Sequence, residues 1–152
     1  MINEMIDKII TEIKAKEYYE RNDIIFLDEL KRDWFVKYRF SYDQWLENWD
    51  KSSTILLMGL QRKPYFLSYA QQVLPDKQIK DIHCFYNASG GWSFKEHSDE
   101  VNVYLYVLKG SKNVYIDGEL FKLRENQGIH IPEGVKHRVD SLKDTWALSI
   151  GY

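Results

Sequence analysis

The sequence has one cysteine, Cys84, so no disulfide can close within the chain, and a reducing compartment, the cytoplasm, is its expected location. It has no apolar run approaching the roughly 18–20 residues of a membrane-spanning helix. Its opening, MINEMIDKII, mixes acids with apolar residues and lacks the pattern of a signal peptide. An excess of one charge is missing too. Lys and Arg total 21 against 23 Asp and Glu, a formal net charge of −2 with no long single-sign run. Neither a nucleic acid nor a membrane surface is therefore an expected partner. Apolar material is plentiful: hydrophobic residues make up 44% and aromatics 15% of the 152 residues. That supply suits one domain with one core and excludes wholesale disorder.

Ile2, Met5, Ile6, Ile9, Ile10 and Ile13 recur at the spacing of one helical face. Glu4 with Lys8 and Glu12 with Lys16 are i,i+4 pairs in the favourable order, so an amphipathic helix is predicted over 2–19. Ile24–Leu27 reads as a short buried strand. Ser41 with Gln44 forms a capping box ahead of a second helix, whose apolar stripe is Trp45, Leu46 and Trp49. A strand near 53–60 and a helix near 65–74, stopped by Pro75, follow. After residue 78 short β-rich runs alternate with turn signals: 79–86, 101–108, 113–116, 119–123, 128–131, 136–141 and 145–150. Asp117-Gly118 is a strong two-residue hairpin signal. The pattern predicts a mainly β chain, with a helix-rich part (1–77) packed on an antiparallel sandwich or barrel (78–152) in one domain.

The chemistry-bearing segment is F-K-E-H-S-D, Phe94–Asp99, leading into V-N-V-Y-L-Y-V-L. Period-two alternation puts His97 and Asp99 in phase with Val101, Val103, Leu105 and Val107, all apolar, so both are expected to project inward. An unpaired carboxylate buried there is costly, and a divalent cation supplies the missing charge. His137 follows the Pro132–Gly134 corner and shares its face with Val139. Two imidazoles and a carboxylate on two neighbouring strands make a facial triad that leaves three positions open on an octahedral metal. That arrangement suits the non-haem Fe(II) oxygenases.

Gly91–His137 resembles the cupin superfamily, whose fold is a double-stranded β-helix, or jelly roll. His97-Ser98-Asp99 occupies its first motif, and Gly110 stands eleven residues after Asp99, at that motif's closing glycine. The second motif is matched by Asn126-Gln127, Ile131-Pro132-Glu133-Gly134 and His137; Asn replaces Gly well at a positive φ. Within cupins, H-S-D-E-V-N-V-Y-L-Y-V-L-K-G-S-K is similar to the JmjC-like branch of 2-oxoglutarate-dependent Fe(II) oxygenases, which includes ribosomal-protein and asparaginyl hydroxylases. Tyr18-Tyr19-Glu20-Arg21 resembles the F-W-E-K opening of the ribosomal-oxygenase group. The resemblance implies that His97, Asp99 and His137 hold Fe(II). It also implies that Lys112 clamps the distal carboxylate of 2-oxoglutarate. Alternation agrees, since Lys112 shares a face with Val114 and Ile116, and a buried cation needs an anion. Tyr86 is a candidate hydroxyl donor to that same carboxylate.

Val103 stands where many metal cupins place a glutamate, as expected of the H-x-D type. The chain ends fifteen residues after His137, short of the dimerisation and winged-helix regions of larger relatives, so a small-molecule or amino-acid-like substrate is expected. Pairing of barrel edge strands into a homodimer is compatible with such a fold. Two other functions stay open. One is a cosubstrate-free metal cupin (a dioxygenase, isomerase or decarboxylase), in which Lys112 would hold the acid substrate. The other is a non-catalytic sugar- or metabolite-sensing cupin that binds its ligand without turnover; a cupin that lost its metal would keep the triad as a hydrogen-bonded cluster. His83 and His130, in strands without ligand spacing, read as structural or exposed, and Cys84 as a small buried hydrophobe. Trp92, after Gly90-Gly91, stands where it would cover the site.

Overall fold

The computed structural model describes residues 2–15, 24–27, 35–37, 54–87, 90–92 and 96–152. The predicted first helix forms over Ile2–Ala15 (α1). Residues 16–19, the Tyr18–Arg21 motif and the helix predicted after Ser41 lie outside the described residues. The later helix, Pro64–Val73 (α2), has proline in its first turn, where the missing N–H costs nothing, and ends ahead of Pro75. No helix among the described residues is long and apolar enough to cross a membrane.

The strands are Ile24–Leu27 (β1), Phe35–Lys37 (β2), Thr54–Leu57 (β3), Asp81–Asn87 (β4), Gly91–Trp92 (β5) and Val103–Lys109 (β6). They continue with Ser111–Ile116 (β7), Glu119–Arg124 (β8), Gly128–Ile131 (β9), His137–Ser141 (β10) and Thr145–Gly151 (β11). All described pairings are antiparallel. They build a seven-stranded sheet, β2-β1-β3-β4-β11-β6-β9, and a four-stranded sheet, β5-β10-β7-β8. The strand pattern predicts an antiparallel sandwich or barrel, and these two sheets form the jelly roll that the resemblance implies.

Alternation sorts the larger sheet into two faces. On one, Ile82, Cys84 and Tyr86 of β4 and Trp146, Leu148 and Ile150 of β11 pack with Met5, Ile6 and Ile9 of α1 and Phe66 and Ala70 of α2. On the other, Val103, Leu105 and Val107 of β6 and Ala147 of β11 meet Val114 and Leu123 of the smaller sheet, with Ile131 of β9. Each fully buried apolar side chain of this kind contributes about 1.5–3 kcal/mol. Cys84 is buried in the helix-side layer, and burial pushes its thiol up to about 12.

The turns carry the expected backbone. Asp117 and Gly118 have φ of 50° and 82°, both positive as a type I′ hairpin requires. Asn126 takes a φ of 65° at the place where the second cupin motif usually has glycine. Gly110, between β6 and β7, has a φ of +84°, and a Cβ there would stand 2.5 Å from Thr145 Oγ1. The glycine is required twice over, for conformation and for space.

Candidate metal centre

His97, Asp99 and His137 come together at one mouth of the barrel, their ligand atoms all within 4.8 Å of one another. His137 Nε2 stands 3.2 Å from Asp99 Oδ2, and His97 Nε2 stands 3.6 Å from Asp99 Oδ1. The two imidazoles are 4.4 Å apart, inclined at 56°.

Backbone hydrogen bonds fix this geometry. His97 N–H donates to His137 O at 3.0 Å, and His137 N–H donates to His97 O at 2.7 Å. Gly134 N–H donates to Asp99 O, so the Pro-x-Gly corner holds the segment that carries the carboxylate. The expectation of two neighbouring strands needs correcting. His97 and Asp99 precede β6, which lies in the larger sheet, whereas β10 lies in the smaller one. His97 pairs with His137 in an isolated bridge, and the chain then crosses to join β11, with Asn102 and Tyr152 exchanging backbone bonds. The three candidate ligands therefore join the two sheets instead of lining one.

The donor set fits a divalent metal. His137 Nδ1 lies 3.0 Å from Val135 O, to which it donates, so Nε2 is the ring atom turned toward Asp99 and the centre, where a metal would take the place of its proton. The hydrogen bond from His137, outweighing partial burial, holds the Asp99 carboxyl below its ordinary range. Burial opposes charge on His137, yet its bonds to Asp99 and Val135 raise its pKa overall. Such a mutually stabilised pair is where a cation replaces a proton. His97 and Asp99, with side chains 35% and 37% exposed, keep one side of the centre open.

Lys112 lies deeper in the barrel, 2% exposed. Its ammonium donates to Ser141 Oγ at 2.8 Å and stands 5.6 Å from the Phe85 ring centroid. No carboxylate pairs with it among the described residues, and burial lowers its pKa to about 8. Register puts Lys112↔Ser141 four residues along β10 from Ile116↔His137, so cation and triad belong to one interior.

Tyr86 is not part of that interior. In β4 it is His83 and Phe85 that face the barrel; Tyr86 points to the helix side, its ring 4.2 Å from that of Trp146. Its hydroxyl is 3.4 Å from Asp144 Oδ1. The expected contact with the cosubstrate carboxylate fails because odd and even positions of a strand serve opposite faces. The Trp92 side chain lies outside the description. Ser141 and the Val135 carbonyl were not anticipated. Only the β7–β10 register could have paired Ser141 with Lys112.

Residues 85–150 match the sequence family described as Cupin domain. That match covers less than half of the chain. Among solved structures, the ribosomal oxygenase YcfD of Escherichia coli is similar with a TM-score of 0.70 at 15% identity, over 95% of this chain and 42% of that one. YcfD in complex with cobalt and 2-oxoglutarate gives 0.68 at 16% identity, with the same shares of the two chains. A conserved protein of unknown function from Streptococcus pyogenes is 24% identical over 50% of this chain and 66% of its own, at a TM-score of 0.45. No curated protein sequence matches the chain. The chain spans less than half the length of YcfD, and at these identities the likeness to the cupin domain is one of fold.

Proposed function

We propose that this cupin domain is an Fe(II)- and 2-oxoglutarate-dependent oxygenase that hydroxylates a small-molecule or amino-acid-like substrate. The observation that carries this reading is Lys112, a buried ammonium without a carboxylate partner among the described residues, in the same interior as a His-Asp-His cluster. A buried cation is stabilised by an anion of matching geometry. A dicarboxylate reaching from Lys112 toward the triad supplies one. YcfD, whose fold this chain shares, has been seen with cobalt and 2-oxoglutarate, which supports the same assignment.

His97, Asp99 and His137 would hold the iron, whose chemistry when bound is to activate oxygen at the expense of 2-oxoglutarate, yielding succinate and carbon dioxide. Val135 fixes the ring of His137. Ser141 orients the Lys112 ammonium, and Lys112 with Ser141 binds the distal carboxylate. Apolar neighbours such as Val107 and Val114 exclude water from that end, so the charge pair forms where the dielectric is low.

The test is an anaerobic titration of metal-free protein with Fe(II) and then 2-oxoglutarate, followed by the weak visible charge-transfer band of the chelate. The band is expected in the wild type, absent in His97→Ala and weakened in Lys112→Ala. Tight iron binding without the band would sink the 2-oxoglutarate reading and favour a cosubstrate-free metal cupin, with Lys112 holding an acid substrate directly. No metal binding would leave a non-catalytic ligand-binding cupin.

A further inference from the structure

A second polar pair faces the barrel from β4. Asp81 lies opposite Gly151 of β11, where a Cβ would come within 2.4 Å of Asp81 Oδ1. The carboxylate thus occupies the space a side chain at 151 would take and is seated over the sheet. His83 follows on the same face, opposite Ser149, with Nε2 3.6 Å from Asp81 Oδ1. That separation exceeds hydrogen-bond length, so the two groups face each other without satisfying each other. Both remain reachable, with side chains 24% and 33% exposed.

The proton on His83 can be placed. Its Nδ1 is buried and has no hydrogen-bond partner among the described residues. A proton there would be an orphaned buried donor, whereas Nε2 stands beside a carboxylate. The neutral ring with its hydrogen on Nε2 is the favoured form. Burial keeps the ring neutral by pulling its pKa below the ordinary value, against the opposing charges of Asp81 and Asp99. Register also puts the pair at the triad's end of the barrel, since Gly151, opposite Asp81, pairs on its other side with Val103, where β6 begins after the Asp99 segment. The pair therefore offers one N–H donor and one carboxylate acceptor.

We propose that His83 and Asp81 read a hydroxyl group of the molecule bound at the centre, making the substrate class a small alcohol. A single oxygen at about 2.8 Å from each atom fits the gap between them, accepting from His83 and donating to Asp81. A carboxylate, a ketone and an ammonium each satisfy half of the pair at best. A carboxylate is repelled by Asp81 and Asp99, a ketone meets only His83, and an ammonium meets only Asp81. Asp81 acts both on the ligand and as the positioning residue that keeps the hydrogen on Nε2. This assignment rests on the triad being where the substrate binds, and it deepens the function proposed above.

The experiment uses the full chain, 15N-labelled at histidine and loaded with Zn(II) as a diamagnetic stand-in. Long-range 1H–15N correlation reads the tautomer of His83 directly. Titrations with glycerol, acetate and ethylamine then follow the Nε2–H resonance. The expected result is a neutral Nε2–H ring whose signal moves saturably with glycerol and stays put with acetate and ethylamine. His83→Phe and Asp81→Ala should each weaken glycerol binding by about tenfold, and His83→Gln, which keeps an N–H donor, should recover most of it. Asp81→Ala should also release the tautomer, a change that a purely structural role would not produce. A hydrogen found on Nδ1, no shift at molar glycerol, or a response to ethylamine instead would overturn the proposal. Zn(II) affinity on the same samples separates the two readings. Failed zinc binding with an intact glycerol shift removes the metal centre and not the hydroxyl pair, and the reverse removes only the pair.

Discussion

The two faces of the seven-stranded sheet are built from the same strands and carry opposite kinds of residue. The face toward α1 and α2 is apolar and aromatic, with Leu148 and Ile150 of β11 among its most buried members. The face toward the barrel mixes valines with Asp81, His83 and Phe85, and it looks across at Lys112. One strand such as β4 contributes alternately to both, so stability and chemistry are interleaved at single-residue spacing. The comparison teaches that a substitution's consequence depends on the parity of its position in the strand. Distance along the chain from the triad matters less.

Breaking the comparison from the barrel side gives the largest effect on function. Asp99→Ala or His137→Ala should lower metal affinity by at least about a hundredfold by calorimetry, since even supporting residues of metal sites cost about 10–100-fold. The stability of the metal-free fold should change by about 1 kcal/mol or less. From the helix side, Leu148→Ala should lower the free energy of unfolding by about 2–5 kcal/mol while leaving metal affinity of the folded protein intact. Equal losses of affinity in both variants would erase the distinction between the faces.

Lys112→Met sharpens it further. Replacing a buried, incompletely compensated cation by an apolar residue of similar length should stabilise the ligand-free protein by about 1–3 kcal/mol and abolish dicarboxylate binding. Its pKa of about 8 in the fold, below the ordinary 10.5, means that the unfolded chain holds more protons between those values. Stability of the ligand-free protein should therefore rise with pH from about 8 to 10.5, and that slope should vanish in Lys112→Met. Gly110→Ala, at a positive φ and against Thr145, should cost about 1–3 kcal/mol in chemical denaturation.

The smallest effect is the titration of the metal-free triad. Asp99 is lowered from 3.8, so its contribution is present above that value and fades as pH falls through the folded pKa. His137 is raised from 6.5, so its contribution is complete below that value and disappears as pH rises through the folded pKa. The triad's own contribution to the stability of the metal-free protein should accordingly peak on the mildly acidic side, and Asp99→Asn should flatten both limbs. Zn(II) should bind more weakly as pH falls through the His137 value, because proton and metal compete for Nε2.

The turn at Asp117-Gly118 and the inward direction of Lys112 were legible because each depends on residues close together in the chain, whereas the triad and the positive φ at Asn126 were read from motif spacing and the family resemblance. Tyr86 was misassigned although the same alternation applied. Ile82, Cys84 and Tyr86 form one apolar row, and that row marks the helix face; His83 was the member of β4 to watch. Ser141 stayed hidden because a serine in a short strand carries no signal until its partner is known. Most of the strands, the tight turns and the three side chains of the triad were legible in the sequence, through local sterics, period-two patterning and motif spacing. It took the tertiary structure to decide that the triad residues join the two sheets, that Ser141 faces Lys112, and that Asp81 and His83 share the triad's end of the barrel. Those are pairings between segments distant in the chain, set by sheet register and by the crossing after Asp99, which no local pattern encodes.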